Sequence, residues 1–186
     1  HSRDLPWRRT RDHYAIWVSE IMLQQTQVDT AIPYYLRFLA KFPSVKALSK
    51  AQPGEVLKLW ENLGYYSRAR NLHTAAKEIL ARWRGRLPQN AKDLLTLPGI
   101  GEYTASAILS IAFAEPVAAV DGNVSRVVSR LFALRSPLGS PESRRQVRDQ
   151  VDRLLSRRRP GEFNQAIMDL GATVCTPRQP SCSSCP

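Results

Sequence analysis

The sequence predicts an all-α protein, on three observations. Apolar residues recur at helical spacing along nearly the whole chain, no segment shows the alternation of a half-buried strand, and residues such as Pro53 and Asn90 stand where helices should open. The 186 residues are enough for one domain, or for two small lobes flanking a cleft. With 43% hydrophobic and 23% charged residues, the chain is not a disordered tail.

The elements follow in order. Residues 14–25 are apolar on more than one side, which predicts a buried helix. A second stretch holds Pro33 early and runs through Tyr35, Leu36, Phe38 and Leu39 toward Phe42. Pro53-Gly54-Glu55 opens a short helix through Val56, Leu57, Leu59 and Trp60. Over 67–83, Leu72, Ala75, Ala76, Ile79 and Leu80 keep helical spacing. Asn90 is a good N-cap for a short helix ending at Leu97. Helices over 101–113, 123–134, 142–155 and 162–174 bring the expected number to nine or ten, with residues 137–141 as an interhelical loop.

Charge narrows the partner. The chain carries 27 Lys and Arg against 16 Asp and Glu, a net +11. That surplus favours a polyanion, nucleic acid before an anionic membrane surface. No run of 18 apolar residues occurs, so no membrane span is expected, and His1-Ser2-Arg3-Asp4 is not a secretory signal. The three cysteines all fall in the last twelve residues, which suits metal ligation better than a disulfide framework. This points to a reducing, intracellular compartment: bacterial cytoplasm or nucleoid, or a eukaryotic nucleus or mitochondrion.

Three motifs carry chemistry. Leu97-Pro98-Gly99-Ile100-Gly101 joins two short apolar helices. Its glycines allow close approach of a ligand to backbone, and the N–H groups opening the second helix suit a phosphate. A tight turn with no ligand is the alternative. Asp121, in Val120-Asp121-Gly122-Asn123-Val124, is placed to cap the helix that follows. Asn123 would orient the local network. Glu20 is a lone acid in an apolar helix. It either reaches solvent or an arginine at the edge of the face, or has its pKa raised by burial so that it donates a proton near neutral pH.

The stretches Leu5-Pro6-Trp7, 17–28 (WVSEIMLQQTQV), 63–70 (LGYYSRAR), 94–113 around the hairpin, 163–166 (FNQA) and 170–177 (LGATVCTP) resemble the MutY-type adenine DNA glycosylases of the endonuclease III-like helix-hairpin-helix superfamily. The resemblance implies a six-helix lobe over 24–117. Residues 1–23 and 118–186 would form the second lobe, and double-stranded DNA would cross the cleft with Glu20 and Asp121 facing each other. It implies that Glu20 protonates adenine and activates water, that Asp121 stabilises the cationic sugar, and that Tyr103 supports the same intermediate. Gln25 and Tyr65 match residues that wedge into the duplex, with Thr26 in the same DNA-binding stretch. Arg3, Trp7, Leu23 and Gln165 match the adenine pocket, and Arg8 a neighbour of the extruded nucleotide. Gly99 and Gly101 match the phosphate grip, and the carbonyls of Leu95, Leu97 and Ile100 a monovalent-cation site. From the residues alone, Trp7, Leu23 and Tyr65 could equally be core and Gln25 and Gln165 solvent-facing amides. Arg68 and Arg70, beside the Tyr65 turn, are candidates for phosphate contact, ahead of the Arg8–Arg11 and Arg144–Arg159 clusters.

Relatives that cleave the strand place a lysine where this chain has Tyr103, and a phenol cannot form a Schiff base. The resemblance therefore implies a monofunctional, monomeric glycosylase that uses water on an adenine opposite 8-oxoguanine or guanine. Cys175, Cys182 and Cys185 match three ligands of a [4Fe-4S] cluster. The family's fourth cysteine lies beyond Pro186, so a cluster is expected in a full-length protein and not here. The family's C-terminal domain for the opposite base has no counterpart either, so poor discrimination is expected. Two rivals remain: a glycosylase for thymine or damaged pyrimidines, and a non-catalytic helix-hairpin-helix DNA-binding iron–sulfur module.

Overall fold

Helices make up every regular element among residues 3–185, the residues described by the computed structural model. The chain divides into two units.

The first unit spans Asp4–Ile108. After a 3-10 turn, Pro6–Arg8, come α1 (His13–Leu23), α2 (Val28–Lys41), α3 (Val45–Lys50), α4 (Pro53–Leu59), α5 (Ser67–Trp83) and α6 (Ala91–Leu94). The unit ends inside α7 (Glu102–Ala112). Every side chain of α1 from Tyr14 to Met22 is buried, as an all-round apolar helix must be. Asp12 opens it by accepting the Tyr14 N–H at 2.9 Å. Pro33 sits on the exposed side of α2, where the helical hydrogen bond it removes faces water.

Sequence periodicity did not single out α3. Ser44 caps it by accepting the Ala47 N–H, and Val45 and Leu48 anchor it beside α5. Six residues are too few for a periodic signal, and the Ser44 cap was the available cue. The first unit also takes in α1, which the resemblance groups with the C-terminal helices. The reason is packing: α1 makes its contacts with α2 and α5.

The second unit takes Arg3 and the described residues from Leu109 on. Its helices are α8 (Gly122–Leu131), α9 (Pro141–Leu154) and α10 (Pro160–Thr173). Val124, Val127 and Val128 of α8 close a core with Val147 and Val151 of α9 and Ile167 of α10. Gly161 lets α10 approach the end of α7, since a Cβ there would lie 2.7 Å from the Ser110 carbonyl oxygen. No described helix is long and apolar enough to cross a membrane.

Candidate active site

Glu20 lies two-thirds of the way along α1 and is 8% exposed. Its helix neighbours are apolar, so the carboxyl has little water to stabilise its charge. The Tyr103 hydroxyl of α7 donates to its Oε2 at 3.5 Å, a long and weak bond. The helical fold of the first unit therefore brings together two residues more than eighty positions apart, both singled out from sequence.

The exit of α1 is held by Arg68. Its Nη1 donates to the carbonyls of Ile21 at 3.2 Å and Met22 at 2.8 Å, and also to that of Gln24, while Nη2 reaches the Gly64 carbonyl at 3.3 Å. The guanidinium also lies 5.4 Å from the ring centroids of both Trp60 and Tyr65. A helix leaves its last carbonyls unpaired, and a cation there satisfies them and complements the helix dipole. Burial lowers the Arg68 pKa, and Tyr65 opposes that shift. Arg68 is 7% exposed, which corrects the expectation that it contacts phosphate: its donors face backbone carbonyls. Arg70, two residues on, is exposed.

The two loops joined this way present Gln25 and Tyr65. Both are exposed and both hold left-handed backbone, with φ of 56° and 48°. Non-glycine residues rarely adopt that conformation, and it turns their side chains out of the helical path. Tyr65 is 60% exposed, so it is not core. Thr26 is half-buried beside Gln25.

The hairpin between α6 and α7 has the expected construction. Asn90 caps α6 by accepting the Asp93 N–H at 2.9 Å. Leu97 and Ile100 are buried, and the Ile100 N–H donates to the Leu97 carbonyl at 3.2 Å, closing the turn. Gly99 is exposed with φ of +80°, and a Cβ there would meet Asn71 Cβ at 3.0 Å. Gly101 is exposed with open space around it, at the start of α7. Leu95 is exposed. Gln24, which sequence reasoning passed over, ties α1 to this turn: its Nε2 donates to the Gly99 carbonyl at 3.2 Å and to Thr104 Oγ1 at 3.1 Å.

In the second unit, Asp121 is the N-cap of α8. Its Oδ1 accepts the Val124 N–H at 2.7 Å and its Oδ2 accepts Asn123 Nδ2 at 3.0 Å. Asn123 Oδ1 in turn accepts Arg126 Nη2 at 2.7 Å. Arg126 donates onward to the carbonyls of Gly171 and Cys175, both at 2.8 Å. The segment leading to Asp121 is pinned by the fully buried Asn164 of α10. Its amide nitrogen donates to Ser110 Oγ and the Val117 carbonyl, and its oxygen accepts the Ala119 N–H. Asn164 and Arg126 are further positioning groups that sequence reasoning passed over.

The profile of the HhH-GPD superfamily base excision DNA repair protein matches residues 18–155, from the end of α1 through the hairpin and Asp121 to α9. The chain belongs to the HhH-GPD superfamily. It is similar to the human adenine DNA glycosylase, 48% identical over 99% of this chain and 35% of that protein. The chain thus spans about a third of that curated relative. A thermostable thymine-DNA glycosylase superposes with a TM-score of 0.90 at 33% identity, over 98% of this chain and 84% of that one. An endonuclease III from a non-covalent DNA complex shares the fold, with a TM-score of 0.84 at 21% identity, over 100% of this chain and 84% of that one.

The remaining residues matched to the superfamily sit as follows. Trp7 is buried, its ring edge-on to Tyr35 at 5.3 Å, so it serves the core. Leu23 closes α1 half-exposed, and Arg8 is half-exposed in the 3-10 turn. Arg3 is paired with Asp169 of α10, Nε and Nη2 both lying 2.7 Å from Oδ1. Gln165 lies half-buried one turn before Asp169 on the same helix, so the two share a face. Cys175 is half-buried and its Sγ receives Arg130 Nη1 at 3.4 Å, whereas Cys182 and Cys185 are exposed. Among the described residues no three of His, Cys, Asp and Glu are gathered to hold a metal ion.

Proposed function

We propose that the chain carries the chemistry of a monofunctional adenine DNA glycosylase, which hydrolyses the N-glycosidic bond of a flipped 2'-deoxyadenosine opposite 8-oxoguanine or guanine in double-stranded DNA. The observation that carries this reading is Glu20: an acidic residue 8% exposed inside an apolar helix, with a phenol, not an amine, beside it. A desolvated acid holds its proton to higher pH and can deliver it to a purine ring nitrogen. Protonated adenine is a tolerable leaving group, and its departure leaves positive charge on the deoxyribose. Asp121, held in place by its cap bond to Val124 and by Asn123, is the carboxylate that stabilises that cation. The Glu20 carboxylate then takes a proton from the attacking water. Tyr103 offers no amine for a covalent adduct, so the strand stays intact.

The surroundings support DNA as partner. The net charge is +11, and the glycine hairpin presents backbone at the start of α7. Gln25 and Tyr65 fill the stack when the base leaves it. A second reading, thymine release, is favoured by the 33% identity to the thymine-DNA glycosylase over nearly the whole chain. Single-turnover assays on duplexes bearing adenine opposite 8-oxoguanine, adenine opposite guanine and thymine opposite guanine separate the two. Free adenine is expected without strand nicking or borohydride trapping; free thymine alone would overturn the reading.

A further inference from the structure

We propose that Arg68 is a positioning residue for base extrusion: its guanidinium locks the loop after α1 to the loop before α5, so that Gln25 and Tyr65 stand as one rigid wedge. The inference rests on the glycosylase reading and extends it to a residue that touches neither base nor sugar.

The geometry is specific. One guanidinium arm gathers three carbonyls at the exit of α1, the last of them on Gln24, directly before Gln25. The other arm takes the Gly64 carbonyl, directly before Tyr65, and the cation lies 5.4 Å from the Tyr65 ring centroid. Both presented residues hold left-handed backbone, which relaxes unless the surroundings fix it. A planar fork with donors on two sides joins two loops at once, and an ammonium on a flexible stem does not. Trp60 backs the assembly: its indole N–H donates to the same Gly64 carbonyl at 3.1 Å, and its ring lies under the guanidinium. Gln24 adds a third loop, since its side chain holds the Gly99 carbonyl of the hairpin. Unstacking a base requires a group that enters the gap on time and stays there, and two side chains on independently moving loops do so poorly.

The experiment uses a duplex with 2-aminopurine at the target position, whose fluorescence rises when it leaves the stack, alongside anisotropy for binding and adenine release from the unmodified duplex. Arg68→Lys keeps the charge, and its Tm reports whether the fold is kept. The expected result is binding close to wild type with a fluorescence rise about tenfold smaller and adenine release reduced in proportion, because misplacement of about an ångström costs one to two orders of magnitude. Adding Arg68→Lys to Gln25→Ala plus Tyr65→Ala should give no further loss of extrusion. Full extrusion by Arg68→Lys, loss of binding in step with extrusion, or an additive loss in the triple variant would each overturn the proposal. Arg68→Met, which removes all four of these guanidinium bonds, tests stability separately by its Tm. A wild-type chain that neither extrudes 2-aminopurine nor releases adenine would instead sink the glycosylase reading itself.

Discussion

Glu20 lies within α1, a helix buried on all sides, where the Tyr103 hydroxyl makes a long hydrogen bond to its carboxyl, whereas Asp121 stands at the open first turn of α8 and accepts from Val124 and Asn123. The two acids therefore have opposite environments. One is buried among apolar neighbours. Donors from Val124 and Asn123 hold both oxygens of the other. In the proposed mechanism, packing and capping are what separate two carboxyls of nearly equal intrinsic strength into the acid and the sugar stabiliser.

Four measurements sharpen or break this contrast. Glu20→Gln is expected to have the largest effect, a loss of about 10²–10⁴ in single-turnover adenine release, because an amide cannot deliver the proton. Retained release would remove Glu20 from the mechanism. Asp121→Asn keeps the helix cap, since asparagine caps as well as aspartate, so Tm should hold while base release falls about 10²–10³-fold. Equal losses of Tm and activity would mean that Asp121 is a cap and nothing more.

Gly171→Ala comes third. A Cβ at this position would lie 2.7 Å from Asn123 Cβ and 3.2 Å from its Cα, so Asn123 and with it Asp121 must shift. Base release should drop about tenfold, with a stability loss of about 1–3 kcal/mol from overpacking. Unchanged kinetics would show that the Asn123–Asp121 bond is dispensable. The smallest effect concerns His73 of α5, whose pKa is lowered by burial and by Lys77 and whose Nε2 is buried without a partner. A histidine with a depressed folded pKa destabilises the fold once the unfolded form binds the extra proton. Stability is therefore full above pH 6.5 and declines as pH falls from there toward the folded pKa. Tm scans between pH 8 and 5 should show a decline that His73→Gln lessens.

Much of the fold was legible in order. The helix over Ser67–Trp83 appears with the boundaries its spacing implies, and Asn90 and Asp121 cap the helices after them. Local chemistry decides such features: a side-chain oxygen next to free N–H groups caps wherever it sits. Arg68 shows the limit. Beside two tyrosines in a basic chain it looks like a phosphate contact, yet its side chain lies under α1's exit, 44 residues away in sequence from its Gln24 acceptor. Gln24 and Asn164 went unnoticed for the same reason, since an amide carries no periodic signal and finds its partners only across the fold.

The sequence by itself determined the longer helices, the Asn90 and Asp121 caps, the glycine hairpin and the absence of an amine at position 103, because these depend on spacing, side-chain chemistry and near neighbours. Only the tertiary structure decided that Glu20 is shielded from water, that Arg68 binds carbonyls, and that Gln25 and Tyr65 are presented on strained backbone. Burial and hydrogen-bond partnership between distant segments depend on which helices pack together, and no local pattern encodes that.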